Sequence, residues 1–179
     1  NTGSYVIGDT LFYDWDGQGD QDSGVDEGIN NVDLLLYADL DNDGVIDSTD
    51  PLVSTQSTDA SGMYCFGGSI VGGVCTAGTS ALPAGNYIVK VNTGDAQFPA
   101  SVNQTKDPGE TGVCVTCDSL NKISISASNL DQDFGYQPTG SGTIGDTVFK
   151  DDNGNGVQGT TEVGIAGVTV ELQVDMNGD

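Results

Sequence analysis

"IGDTLFYD", Ile7–Asp14, returns as "IGDTVFKD", Ile144–Asp151, and the copies are 144 − 7 = 137 residues apart. Past a one-residue difference in spacing the match resumes, "GINNVDLLLYAD" at Gly28–Asp39 against "GIAGVTVELQVD" at Gly164–Asp175. The leaders agree too, Thr2-Gly3-Ser4 against Thr139-Gly140-Ser141. Self-similarity at a fixed spacing is the mark of a tandem array of one folded unit. The chain therefore divides into a complete unit at 1–138, a linker at 139–143 and the first part of a second, incomplete unit at 144–179. Further units are expected on either side.

Inside the unit the apolar period is two, not 3.6. "KISISAS" at Lys122–Ser128 alternates apolar and polar residues, and "VDLLLYA" at Val32–Ala38 and "NYIVKV" at Asn86–Val91 read as strands. "DASGMYCF" at Asp59–Phe66 is a turn running into a strand, and Ile144–Phe149 and Val168–Val174 are expected strands of the second unit. Asp-Gly, Pro-Ala-Gly and Asp-Pro-Gly turns separate the runs, and no stretch carries a helical stripe. Short strands punctuated in this way predict an all-β fold, a β-sandwich. The Gly-, Ser- and Thr-rich segment Gly67–Ala84 is read as a long loop.

Composition narrows the function. The chain of 179 residues holds 27 Asp and Glu against 4 Lys and Arg, a net charge of -23, and no histidine. Such a surface repels nucleic acid and anionic membranes. It lacks the usual imidazole base and favours hard cations that take oxygen ligands. No apolar run is long enough to span a membrane, so no membrane insertion is expected. Without an initiator Met or a signal-peptide pattern, the chain is expected to be a mature product or a fragment. Cys65, Cys75, Cys114 and Cys117 form an even set without histidine beside them. They read as disulfides formed in an oxidising, extracellular setting, and their spacing lacks the paired knuckles of a four-thiolate zinc site. Three pairings are open, of which Cys65–Cys75 with Cys114–Cys117 is preferred.

The negative charge is concentrated in loops. "DLDNDGVIDSTD", Asp39–Asp50, places Asp39, Asp41, Asp43, Gly44, Asp47 and Asp50 at positions 1, 3, 5, 6, 9 and 12 of a twelve-residue loop. That is the oxygen-ligand spacing of an EF-hand-type calcium loop, with Val45 at position 7 offering its carbonyl. Carboxylates about 4 Å apart repel by roughly 4 kcal/mol at an effective dielectric near 20, so such crowding calls for a cation at its centre. "DDNGNGVQGTTE" repeats the spacing with Asp151, Asn153, Asn155, Gly156, Val157 and Glu162. Its counterpart in the first unit, Asp14–Glu27, offers Asp14, Asp16, Gln18, Asp22, Asp26 and Glu27 but is one or two residues longer before its closing acid. A fourth loop opens with Asp175, Asn177 and Asp179. Calcium is the expected ion, since magnesium prefers a compact octahedron that keeps several waters. The competing reading, solvated Asp-Gly and Asn-Gly turns, is weakened by the recurrence of the loops at corresponding places.

These residues also carry a resemblance. "IGDTVFKDDNGNGVQGTTEVGIAGVTVEL", "TDASGMYCF", "LPAGNYIVKV" and "DFGY" occur in that order. They resemble the SdrD B-like calcium-binding repeats of the serine-aspartate-repeat surface adhesins, relatives of the collagen-adhesin B-type fold. The resemblance implies a transthyretin-like or inverse immunoglobulin-like β-sandwich, arrayed in tandem on a cell surface and stiffened by calcium held in the acidic loops. Two departures stand out, the four cysteines and the length of Gly67–Ala84. Some relatives carry a Lys–Asn isopeptide bond. Here the first strand has Tyr13 where its copy has Lys150, and Lys90 alternates with Val89 and Val91 toward solvent, so no such bond is expected.

Weaker signals remain. Asn103-Gln104-Thr105 is a glycosylation sequon. Cys114-Val115-Thr116-Cys117 lacks the βαβ setting of a redox motif. Trp15 lies within the first acidic loop. No nucleophile–base pair or phosphate-cradling loop is visible, and no enzyme activity is expected. The expectation is an extracellular, secreted or surface-attached structural repeat of a stalk, fibre or filament. Its partners would be neighbouring repeats or subunits of the same protein in a linear array. The alternative is an adhesin module that binds a host, matrix or carbohydrate ligand.

Overall fold

A computed structural model describes residues 3–140 and 142–173. The chain forms two compact units, Asn1–Thr139 and Gly140–Asp179. Among the described residues there is no helix.

The first unit holds eleven strands. They are β1 (Ile7–Tyr13), β2 (Glu27–Gly28), β3 (Asp33–Ala38), β4 (Leu52–Ser57), β5 (Met63–Phe66) and β6 (Gly68–Val71). β7 (Val74–Ala77), β8 (Gly85–Val91), β9 (Val102–Lys106), β10 (Leu120–Ile125) and β11 (Phe134–Pro138) follow. One sheet runs β2-β1-β11-β9, with β5 also paired to β1. Its centre is a parallel pairing of the first and last strands, Leu11 opposite Phe134 and Tyr13 opposite Tyr136. The other sheet runs β10-β8-β3-β4 and is antiparallel throughout.

Alternation decides which faces meet. Leu34 and Leu36 of β3 and Val89 and Val91 of β8 are fully buried, and they meet Leu11, Phe66 and Phe134 of the opposing sheet in one core. That apolar face is what holds the sheets together. Lys90, between Val89 and Val91, is only half-buried, as its place in the alternation requires. Gly62 marks a close crossing: its φ is +76°, and a Cβ there would lie 2.2 Å from the Leu11 carbonyl oxygen.

The segment Gly67–Ala84 is not the long loop its composition predicts. It forms the β6–β7 hairpin, in register from Gly68 opposite Ala77 to Val71 opposite Val74, and turning at Gly72 and Gly73 with φ of +60° and +76°. A disulfide between Cys65 and Cys75 ties it to the body, where both cysteines pack with Val6. A second disulfide closes the tight loop Cys114–Cys117. Asn103 of the sequon is exposed on β9, a sheet edge.

In the second unit neither expected strand, Ile144–Phe149 nor Val168–Val174, is present among the described residues. One bridge remains, Phe149 opposite Gly164. It is the counterpart of Phe12 opposite Gly28 in the first unit. Ile144, Val170 and Leu172 are largely exposed.

Candidate metal sites

Each acidic loop of the first unit starts where a strand stops. Asp14 follows Tyr13 at the end of β1, and its N–H donates to the Tyr136 carbonyl of β11 at 3.1 Å. Asp39 follows Ala38 at the end of β3, and its N–H donates to the Asn86 carbonyl of β8 at 3.0 Å. The sheet therefore fixes the first acid of each loop, and both side chains are buried.

From that first acid the Asp14 and Asp151 loops are wired alike, and the Asp39 loop shares part of the pattern. The Oδ1 of Asp14 accepts the N–H groups of Gly17 and Gln18 at 2.7 and 3.1 Å, and its Oδ2 accepts that of Gly19 at 2.9 Å. Asp151 takes Gly154, Asn155 and Gly156 in the same way at 2.6, 3.2 and 2.8 Å. Asp39 takes Asp43 at 3.1 Å. The side chain at the third position receives the N–H two residues on: Asp16 from Gln18, Asp41 from Asp43, Asn153 from Asn155. At the far end the closing acid reaches back. Asp26 accepts from Trp15 and Asp22, Asp50 from Leu40 and Asp47, and Glu162 from Asp152 and Gly159.

This wiring needs left-handed backbone at the fourth and sixth positions. Gly17 and Gly19, Asn42 and Gly44, and Gly154 and Gly156 all have φ between +62° and +80°. Spacing alone singles out the sixth position. The fourth was equally legible, since it carries only Gly or Asn, the residues that visit this region most readily.

The loops differ in what they gather. Carboxylate oxygens of Asp39, Asp41, Asp43 and Asp50 lie within 4.8 Å of one another, and so do those of Asp14, Asp16 and Asp26. In the first loop the closing group is Asp26, not Glu27, which lies in β2 opposite Tyr13. Asp26 stands one residue further from its first acid than Glu162 does in the second unit. Gln18 stays at the rim, donating its amide to Asp16. Asp22 and Asp47 stand outside the clusters: Asp47 accepts from the Thr49 N–H and hydroxyl. The N–H of Val45 and of Val157 donates to the side chain of Asp43 and of Asn155. Asp175, Asn177 and Asp179 lie outside the described residues.

Electrostatics show what the scaffold supplies and what it lacks. The Gly156 N–H, foremost among several donors, holds the Asp151 carboxyl below the usual range. Asp20 beside Asp22 pushes that carboxyl up, as uncompensated like charges do. Asp39 Oδ2 is buried and accepts no hydrogen bond, and the Lys122 ammonium stands 3.6 Å from it. A buried carboxylate oxygen without a donor is costly unless a cation faces it. A gathering of carboxylate oxygens alone is a donor set of the hard kind that calcium takes. The residues that would hold it are Asp39, Asp41, Asp43 and Asp50, and in the first loop Asp14, Asp16 and Asp26.

A family model described as the SdrD B-like domain matches residues 142–179. The serine-aspartate repeat-containing protein E of Staphylococcus aureus strain USA300 is 32% identical over 169 residues, 94% of this chain and 12% of the relative. A Staphylococcus aureus protein named bone sialoprotein-binding protein, from strain MRSA252, is 32% identical over 170 residues, again 94% of this chain and 12% of its own length. Among solved structures, the minor pilin GBS52 of Streptococcus agalactiae aligns with a TM-score of 0.40 at 11% identity, covering 79% of this chain and 48% of that one.

Proposed function

Because the chain belongs to the SdrD B-like repeats of the serine-aspartate-repeat surface proteins, we propose that it is a calcium-stabilised structural repeat of a surface stalk, fibre or filament. The chain is extracellular or cell-surface attached, a setting in which its two disulfides persist. No helix among the described residues is long and apolar enough to cross a membrane.

The observation that carries the calcium reading is the gathering of four carboxylates, Asp39, Asp41, Asp43 and Asp50, with oxygens within 4.8 Å of one another and one ammonium, that of Lys122, against Asp39. Bound calcium would supply positive charge there and tie the two ends of each loop together. The loop backbone, held by its own N–H donors, presents the oxygens in advance. The work in this reading is structural: the side chains bind and orient. Neighbouring repeats of the same protein are the partners this reading implies.

Calcium that binds only the folded state adds about 2.7 kcal/mol when the free ion is a hundred times its dissociation constant. Thermal melts in calcium should therefore run well above melts in chelator. Trp15, the one tryptophan of the chain, sits in the first loop and should sensitise terbium emission there on excitation at the red edge of tryptophan absorption. Identical melts and no sensitised emission would sink the calcium reading.

The relative named for binding bone sialoprotein supports a second reading, an adhesin module. The chain spans 12% of that protein, so ligand capture by this repeat is a separate question. Saturable, calcium-dependent binding of the isolated chain to immobilised bone sialoprotein would favour it over a passive spacer.

A further inference from the structure

Lysine is scarce in this chain, and one of its few copies lies on the Asp39 loop. Lys122 extends from β10, 80 residues further along, and its Nζ donates to the Asn42 carbonyl at 2.5 Å. The same Nζ stands 3.6 Å from Asp39 Oδ2, with the Asp39 side chain wholly buried and that of Lys122 38% exposed. Its arm lies along Gly44, where an added Cβ would come within 2.9 Å of the Lys122 Cδ. The ammonium thus faces the one loop oxygen that a cation is required to satisfy, and it holds the carbonyl of the left-handed residue at the loop's fourth position.

We propose that Lys122 is a tethered counter-cation of the Asp39 loop, which keeps the loop folded when calcium is absent and competes with calcium for Asp39. The inference rests on the calcium reading of this loop. Two cations a few ångströms apart repel, so calcium entry must displace the ammonium from Asp39 Oδ2. The lysine is anchored on a strand and 38% exposed, so its head can swing into solvent without disturbing the sheet. A loop with such a tether changes little in shape between low and high calcium. Its affinity is lowered in return, which moves half-filling to a higher calcium concentration.

The test uses the whole chain as wild type, Lys122→Met and Lys122→Arg, each followed by backbone NMR. Lys122→Met keeps the apolar arm over Gly44 and removes the charge, while Lys122→Arg keeps the charge. In chelator, the amides of Asp43 and Val45 should exchange about tenfold faster in Lys122→Met than in wild type, with Lys122→Arg close to wild type. In saturating calcium the difference should vanish. Titration of calcium alone, followed at the same amides, should show about tenfold tighter binding for Lys122→Met, about 1.4 kcal/mol. Equal exchange of wild type and Lys122→Met in chelator would overturn the tether. Unchanged or weaker calcium binding by Lys122→Met would overturn the competition. Loop amides that ignore calcium in wild type would overturn the calcium reading, and the exchange comparison in chelator would still decide the tether.

Discussion

Asp133 accepts the backbone N–H of Thr10 through its Oδ1 at 3.1 Å, joining the start of β11 to β1. Burial, and after it the nearby Asp9 carboxylate, pushes its carboxyl up to about 6. The unfolded chain titrates this group at an ordinary carboxylate value, so the folded state binds the proton more tightly. The stabilisation is full below that ordinary value and is lost as pH rises through about 6. Asp133→Asn keeps the acceptor and removes the titration. It should flatten the stability profile between about pH 4 and 6 and raise stability at pH 7 by about 1–2 kcal/mol, after discounting for solvent screening. Denaturant melts across that range decide it, and a profile with the same slope as wild type would reject the assignment. Nothing in the spacing of Asp133 announced this, because desolvation comes from neighbours far away in sequence.

Among the elements, the strands that alternate cleanly were legible, and β3, β8 and β10 lie within a residue or two of where the pattern puts one end or the other. The β6–β7 hairpin was not. Its residues, Gly68–Val71 and Val74–Ala77, are small and polar enough to read as loop, and the hairpin packs only through a small cluster around Cys65 and Cys75. It should therefore depend on its disulfide. A bridge closing a loop of this size constrains the unfolded chain by about 3 kcal/mol. Replacing both Cys65 and Cys75 by Ala should lower stability by about that amount and raise amide exchange in the hairpin above that in β8. Unaltered exchange across Gly68–Ala77 in the double variant would show that the hairpin holds by itself. The register of the acidic loops is the opposite case. Phe12 opposite Gly28 and Phe149 opposite Gly164 repeat with one residue fewer between them, and the sequence match carried that difference.

For the whole molecule the dominant quantity is the net charge of -23. Self-repulsion of that size opposes the compact state, and dissolved salt screens it over about 8–10 Å at ordinary ionic strength. In chelator, raising sodium chloride should raise the melting temperature. Two filled sites would add four charges, -23 + 4 = -19, and the same salt series in calcium should give a shallower slope. Equal slopes in the two series would mean that bound calcium does not relieve the repulsion.

The sequence by itself determined what depends on short-range order: period-two strands, the repeat, and the spacing that turns an acidic run into a ring of oxygens. The first acid, the glycines and the closing acid are all local to one loop, so their geometry is written in a dozen residues. Tertiary structure alone decided what depends on partners distant in the chain. It brought β1 beside β11 and placed Lys122 over the Asp39 loop. It also selected Asp26 over Glu27 as the closing acid, because the pairing of Tyr13 with Glu27 turns Glu27 into a strand residue. The second unit shows the same division. Its loop wiring forms from hydrogen bonds local to a dozen residues, whereas a sheet is stabilised by apolar burial between strands distant in the chain.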